Sequence, residues 1–135
     1  MIVEVVGAVI RDPAGRVLTV RKRATTRFML PGGKREPGED DLAALARELG
    51  EELGVRLVRA ELLGRFEAAA ANEPGAKVKS HAYMVAIAGE IGIGAEIEEL
   101  AWLDPAGPFD RPIAPLLESA ILPALARQSP MVDPG

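Results

Sequence analysis

The chain has 135 residues, 48% hydrophobic and 27% charged, a length that fits one domain with a core of its own. It has no cysteine, which excludes disulfides, zinc–thiolate sites and thiol catalysis, and its net charge of −4 argues against a general nucleic-acid-coating protein. No run reaches the roughly 20 apolar residues of a membrane span, and MIVEVVGAVIRD lacks a basic leader region, so a cytoplasmic protein is expected.

The first element is a strand over Ile2 to Arg11, followed by a turn at Asp12-Pro13-Ala14-Gly15 and a second strand over Arg16 to Arg23. Phe28-Met29-Leu30 reads as a short strand feeding the glycine loop Pro31-Gly32-Gly33, and a helix should follow at about residues 40–53. Val55 to Ala71 favours strand in part, with an ambiguous alanine-rich end. Asn72-Glu73-Pro74-Gly75 then turns the chain into a paired strand over Val78 to Ala88. A further strand is expected near Ala101-Trp102-Leu103. Asp110 to Gln128 reads as a closing helix, with Asp110 near its N-cap, Pro112 and Pro115 in its first turn, and Pro123 kinking or splitting it. One domain over residues 1–128 with a frayed tail at 129–135 is the expected organisation, in an α+β class with a mixed sheet between helices.

Between Gly33 and Val55 the pattern is G-x5-E-x7-R-E-Leu-x-E-E-x-G-Val. Asp40 stands where an N-cap belongs, and Gly54 is a natural left-handed stop. Leu42, Leu45, Leu49 and Leu53 fall on one arc and should face the core, with Glu48, Glu51 and Glu52 on a neighbouring arc. Carboxylates so placed repel one another by a few tenths of a kcal/mol per pair. A divalent cation is the clearest compensation, and all-oxygen ligands suit Mg²⁺ or Mn²⁺. A solvated acidic face is the plain alternative. Against it stand Gly50 inside the helix, at a cost of about 1 kcal/mol relative to alanine, and the constrained turns ahead of it. Glycines at 32 and 33 permit close approach to a phosphate.

This stretch resembles the Nudix box, the signature of hydrolases acting on a nucleoside diphosphate linked to another group. The resemblance implies the Nudix fold, an α/β/α sandwich, and a metal site held by Glu48, Glu51 and Glu52, with Glu52 the surest ligand. It implies that Arg47 orients a box glutamate and that Glu39 is a ligand or supports one. The general base varies in the family; Glu48 is favoured here, with Glu96 second. MutT-like members carry a metal-binding glutamate six residues before a tryptophan, which is the spacing of Glu96 to Trp102. An acidic surface loop is an equal reading of Glu96, and Trp102 is better placed as a packed residue than as a base stacker.

Arg21, Lys22, Arg23 and Arg27, with Lys34 and Arg35, form the basic cluster. Alternation puts Arg21 and Arg23 on one strand face, and the MutT-like resemblance favours Arg23 for a phosphate or base; a solvated edge is the alternative. Phe28 either stacks on a base or is core. His81, the only histidine, reads as a strand residue satisfying its own hydrogen bonds. Asp110 stands where MutT-like relatives use an asparagine to read the purine edge. A carboxylate only accepts hydrogen bonds unless protonated, so that recognition does not carry over intact; a helix cap is the simpler role.

The expectation is a Mg²⁺-dependent hydrolase of small-molecule nucleotides, a monomer or homodimer, converting a (d)NTP to a monophosphate and pyrophosphate. Catalysis is expected from Arg47, Glu48, Glu51 and Glu52, with Glu96 added at the metal, and substrate binding from Arg23, Phe28, Gly32, Gly33, Lys34 and Asp110. The alternatives are an ADP-ribose or nucleotide-sugar pyrophosphatase, and a nucleotide-sensing module that does not cleave. The latter usually loses box glutamates, whereas this chain keeps them.

Overall fold

A computed structural model describes residues 1–70 and 74–128. Six strands and two helical segments follow in order: β1 (Ile2–Val9), β2 (Val17–Lys22), β3 (Gly32–Gly33), α1 (Asp41–Leu53), β4 (Arg56–Ala69), β5 (Lys77–Ala88) and β6 (Ile97–Leu103), then a helical stretch at 115–127 that ends as α2 (Leu122–Arg127). One sheet has the order β3-β1-β5-β4, with β1 and β5 parallel and the other pairs antiparallel. The pair β2-β6 joins its edge through backbone bonds, Leu18 N–H to Ile10 O at 2.9 Å and Val20 to Met29 in both directions at 2.8 Å.

Alternation along the strands sorts side chains onto two faces, and each face finds a helix. Val6, Ala8, Leu18 and Val20 pack with Leu45, Leu49 and Leu53 of α1. Val9, Val17 and Leu103 pack with Leu117, Ile121 and Leu125 of the closing segment. The sheet therefore lies between two helical layers, as the α+β expectation required. Fully burying each of these leucines contributes roughly 1.5–3 kcal/mol, so both layers are held mainly by apolar contact.

Helix α1 begins where its N-cap predicts. The Asp40 carboxylate accepts from Ala43 N–H at 2.8 Å, and Gly54 closes the last turn at φ 69°. Leu42 departs from expectation and is 46% exposed. The buried strip runs instead through Ala44, Leu45, Leu49, Glu52 and Leu53, because the helix is turned to press its Glu52 edge against the glycine loop.

Other boundaries shift for local reasons. Phe28-Met29-Leu30 forms isolated bridges to Ile113 and Val20, not a continuous strand. β6 starts at Ile97, earlier than expected. The expected turn at 72–75 is described only at Pro74-Gly75; Asn72 and Glu73 lie outside the described residues, as does the tail at 129–135.

The closing helix needs the largest correction. Asp110 and Pro112 lie ahead of it, so Asp110 caps nothing, and helical structure begins at Pro115. At Pro123 the segment divides, with the proline in the first turn of α2. A π-helical turn at Leu117–Ile121, with Leu122 N–H reaching back to Leu117 O, precedes the proline. A wider turn relieves the clash that a proline ring makes with the carbonyl four residues earlier. Among the described residues, no helix is long and apolar enough to cross a membrane.

Candidate active site

The edge strand β3 brings the glycine loop against α1. A Cβ on Gly32, at φ 142°, would stand 2.0 Å from Val6 O, so only glycine fits. A Cβ on Gly33 would meet Glu48 Oε2 at 2.2 Å. This close approach lets Gly32 N–H donate to Glu52 Oε1 at 3.2 Å, a buried contact that ties loop to helix. Glu52 is 5% exposed, and Lys22 Nζ lies 3.8 Å from its Oε2. Burial pushes the Glu52 carboxyl up to about 8; Lys22 and the Gly32 N–H pull it down, while a shared hydrogen bond and like charge from Glu48 add to the rise.

Arg47 holds the other side of the acid cluster. Its Nε donates to Glu39 Oε2 at 2.7 Å and its Nη2 to Glu39 Oε1 at 3.0 Å, while Nη1 reaches Glu48 at 2.6 Å and Glu51 at 3.1 Å. Nη2 also donates to Lys34 O at 3.0 Å, fixing the loop. The Arg47 hydrogen bonds hold the Glu39 carboxyl below its usual range, and Glu39 in return raises the guanidinium further. Glu39 also accepts from Glu36 N–H, so its oxygens face the turn and Arg47.

Glu48, Glu51, Glu52 and Glu96 line one cleft of about 530 Å³, together with Lys22 and Lys34. The loop glutamate and the helix glutamates are thus brought together, as the sequence suggested. Among the described residues, no three acidic or histidine side chains already converge as a closed metal cage. The donor set nevertheless fits a hard divalent ion: oxygen ligands only, with the Glu52 carboxyl raised by burial and by the neighbouring Glu48. Mg²⁺ keeps several waters and shares substrate phosphates, so a closed protein cage is not its usual setting. Glu48, Glu51, Glu52 and Glu96 are the carboxylates that could hold such an ion.

A second cleft, about 250 Å³, opens beside the first and shares Val5, Lys22 and Gly33 with it. Its walls are mostly apolar, with Val3, Val78, Leu116 and Leu117 among them, and Ser80 adds a hydroxyl.

Three expected substrate residues fall elsewhere. Arg23 projects to solvent, 3.8 Å from Glu98, and lines neither cleft. Alternation along β2 carries the Leu18 and Val20 face, packed on α1, on to Lys22, which faces Glu52, whereas Arg21 pairs with Glu99. The Leu18-Val20-Lys22 alternation is the signal that could have found the lysine. Phe28 is 4% exposed in the core, with the Arg111 guanidinium 5.3 Å from its ring centre, and has no free face for a base. Asp110 is exposed and bonded to Arg111, which holds its carboxyl below the usual range; it lines neither cleft. Trp102 packs against the α1-side core, as expected. His81 also meets expectation, its Nδ1 lying 2.7 Å from Asp41.

Comparison with known proteins agrees with this geometry. The family profile described as NUDIX domain matches residues 1–120. An "8-oxo-dGTP diphosphatase" of Haemophilus influenzae is 36% identical over 70 residues, which is 49% of this chain and 52% of that protein. A "MutT-like protein" of Streptomyces ambofaciens is 38% identical over 65 residues, 48% of this chain and 42% of that one. The matched region thus spans about half the length of these curated relatives, or less. Among solved structures, the E. coli ORF135 protein superposes with a TM-score of 0.78 at 27% identity, covering 99% of this chain and 95% of that one. A MutT NUDIX hydrolase from Burkholderia pseudomallei gives 0.75 at 26% identity, covering 96% and 99%.

Proposed function

This chain belongs to the Nudix family, and from that premise we propose that it is a Mg²⁺-dependent pyrophosphohydrolase converting a (d)NTP to a monophosphate plus pyrophosphate. The observation that carries the reading is the continuity of the two clefts. An acidic cleft with two lysines suits a metal-bound phosphate chain, and the apolar cleft sharing Lys22 and Gly33 suits a base. Mn²⁺ is the natural substitute ion.

When bound, the metal supplies charge neutralisation and an activated water. The chain's own residues do the rest. Glu52 and Glu48 would hold the ion, with Glu51 and Glu96 as the further carboxylates of the cleft. Arg47 fixes Glu48 and the Lys34 carbonyl in place. Lys22 and Lys34 present positive charge to the phosphates, and the constrained Gly32-Gly33 backbone lets them come close. Lys22 takes the phosphate role that the MutT-like resemblance suggested for Arg23. Glu48, beside Glu52 and held at one oxygen by Arg47, remains the favoured acceptor of the water's proton, with Glu96 second.

A panel of nucleoside triphosphates, ADP-ribose and nucleotide sugars, assayed with Mg²⁺ and Mn²⁺ and with products identified, tests this. Triphosphates should lead and release pyrophosphate. ADP-ribose ahead of every triphosphate by tenfold or more in kcat/KM would replace this reading with an ADP-ribose pyrophosphatase. No turnover on any member with intact folding would leave a binding module.

A further inference from the structure

The candidate metal-holding glutamates of the acidic cleft come from two pieces of chain that are far apart in sequence, α1 and the segment 92–96. The joint between them is backbone to backbone. Gly92 N–H donates to Leu53 O and Gly94 N–H to Glu52 O, both at 2.9 Å, so the loop satisfies carbonyls that the end of a helix leaves free. At Gly94 the approach is closest: a Cβ there would stand 2.5 Å from Glu51 O and 3.5 Å from Glu52 O. Next along the chain, Ala95 is held at φ 44°, an uncommon conformation for a residue with a side chain, and Glu96 O accepts from Arg23 N–H at 2.7 Å. Ala95 and Glu96 both line the cleft. The two glutamates whose carbonyls Gly94 touches are two of the three helix carboxylates that line the cleft.

We propose that Gly94 is a positioning residue that sets the reach of Glu96 toward Glu51 and Glu52, and through it the cleft's affinity for a divalent cation. The opposing atom is a main-chain oxygen of a packed helix, which does not yield as a flexible side-chain end would. An added methyl therefore moves the loop, and Glu96 moves with it. Gly92 provides the internal contrast. It makes the same kind of bond, yet a Cβ there meets its nearest atom, Leu53 O, at an ordinary 3.9 Å.

This inference rests on the proposed metal role of the cleft. The test is Mn²⁺ binding followed by the free-ion electron paramagnetic resonance signal, alongside melting temperature and triphosphate turnover, for wild type, Gly92→Ala, Gly94→Ala, Glu96→Gln and the double variant Gly94→Ala/Glu96→Gln. Gly94→Ala should weaken Mn²⁺ by roughly tenfold or more, the range for residues that orient metal ligands, with melting temperature little changed. Gly92→Ala should match wild type. In the double variant the two losses should not add, because Gly94 acts through Glu96. Additive losses, unchanged Mn²⁺ affinity in Gly94→Ala, equal damage from Gly92→Ala, or loss of cooperative unfolding in Gly94→Ala would each overturn the role. Wild type that neither binds Mn²⁺ nor turns over a triphosphate would sink the underlying functional reading instead.

Discussion

Residues 31–54 and residues 104–127 each run from a loop rich in glycine or proline into a helix, yet they behave differently. In the first, loop and helix are bonded to each other at Gly32–Glu52 and Lys34–Arg47, and the cap, the stop and the close approach of Gly33 to Glu48 all lie within the segment. In the second, the contacts that decide the structure come from elsewhere: Phe28 exchanges backbone bonds with Pro112 and Ala114, and the helix waits until Pro115. Where the determining interactions are local, a linear reading finds them. Where a distant strand captures the loop, propensity alone places the helix start too early.

The largest expected effect tests the first region. Glu52→Gln keeps the shape of the side chain but removes the buried charge that would hold a cation, so turnover should fall by roughly 10²–10⁴. Folding should survive, which circular dichroism would check. Near-native kcat/KM would mean that the buried glutamate is structural.

Glu52 also gives that region a pH signature. Its carboxyl, pushed up to about 8 chiefly by burial, is favoured in its protonated form by the metal-free fold. The associated stability is complete below the ordinary carboxyl range near 4.5 and is lost as pH rises through about 8, a slope on the order of a few kcal/mol in total. The metal-free melting temperature should therefore decline from pH 5 to 8.5, and Glu52→Gln should flatten the decline and melt higher than wild type at the alkaline end. Mg²⁺ should oppose the decline, since the ion takes the deprotonated form. Glu39 and Asp41 have lowered values and act in the opposite sense at more acid pH, so they leave this window clear. A flat wild-type profile would remove the burial argument.

Phe28 sharpens the contrast from the other side. As a core residue joining β2 to the closing segment, it should cost about 1–3 kcal/mol when replaced by leucine, with KM for a triphosphate unchanged. A raised KM with full stability would restore its reading as a base stacker.

The sequence was most legible where periodicity and capping coincide. Asp40, Gly54 and the Leu45-Leu49-Leu53 strip could be placed from the residues alone, as could the two helical layers, while Glu96 was placed beside the helix glutamates only through the MutT-like resemblance. Leu42 could not, because its exposure depends on the rotation of α1 that presses Glu52 against the glycine loop. Lys22 continues the Leu18-Val20 face of β2, but nothing in the basic cluster marked which charge meets the helix glutamates.

Asp110→Asn should have the smallest effect, and its smallness is informative. In sequence this position had two readings, helix cap and base reader, each of which predicts a measurable loss. A cap would cost about 1 kcal/mol on removal to alanine, though less to asparagine, which caps as well. A base reader would change the ranking among nucleobases, because a mismatched edge leaves buried groups unpaired. The side chain stands in solvent, bonded to Arg111 and outside both clefts, so neither loss is expected. Asp110→Ala and Asp110→Asn should both melt within about 0.5 kcal/mol of wild type, as surface changes do. The order of kcat/KM across the four bases should also be unchanged. A reordered panel in Asp110→Asn would mean that the loop at 104–114 closes over the apolar cleft when a nucleotide binds, and that the base is read in a conformation other than this one.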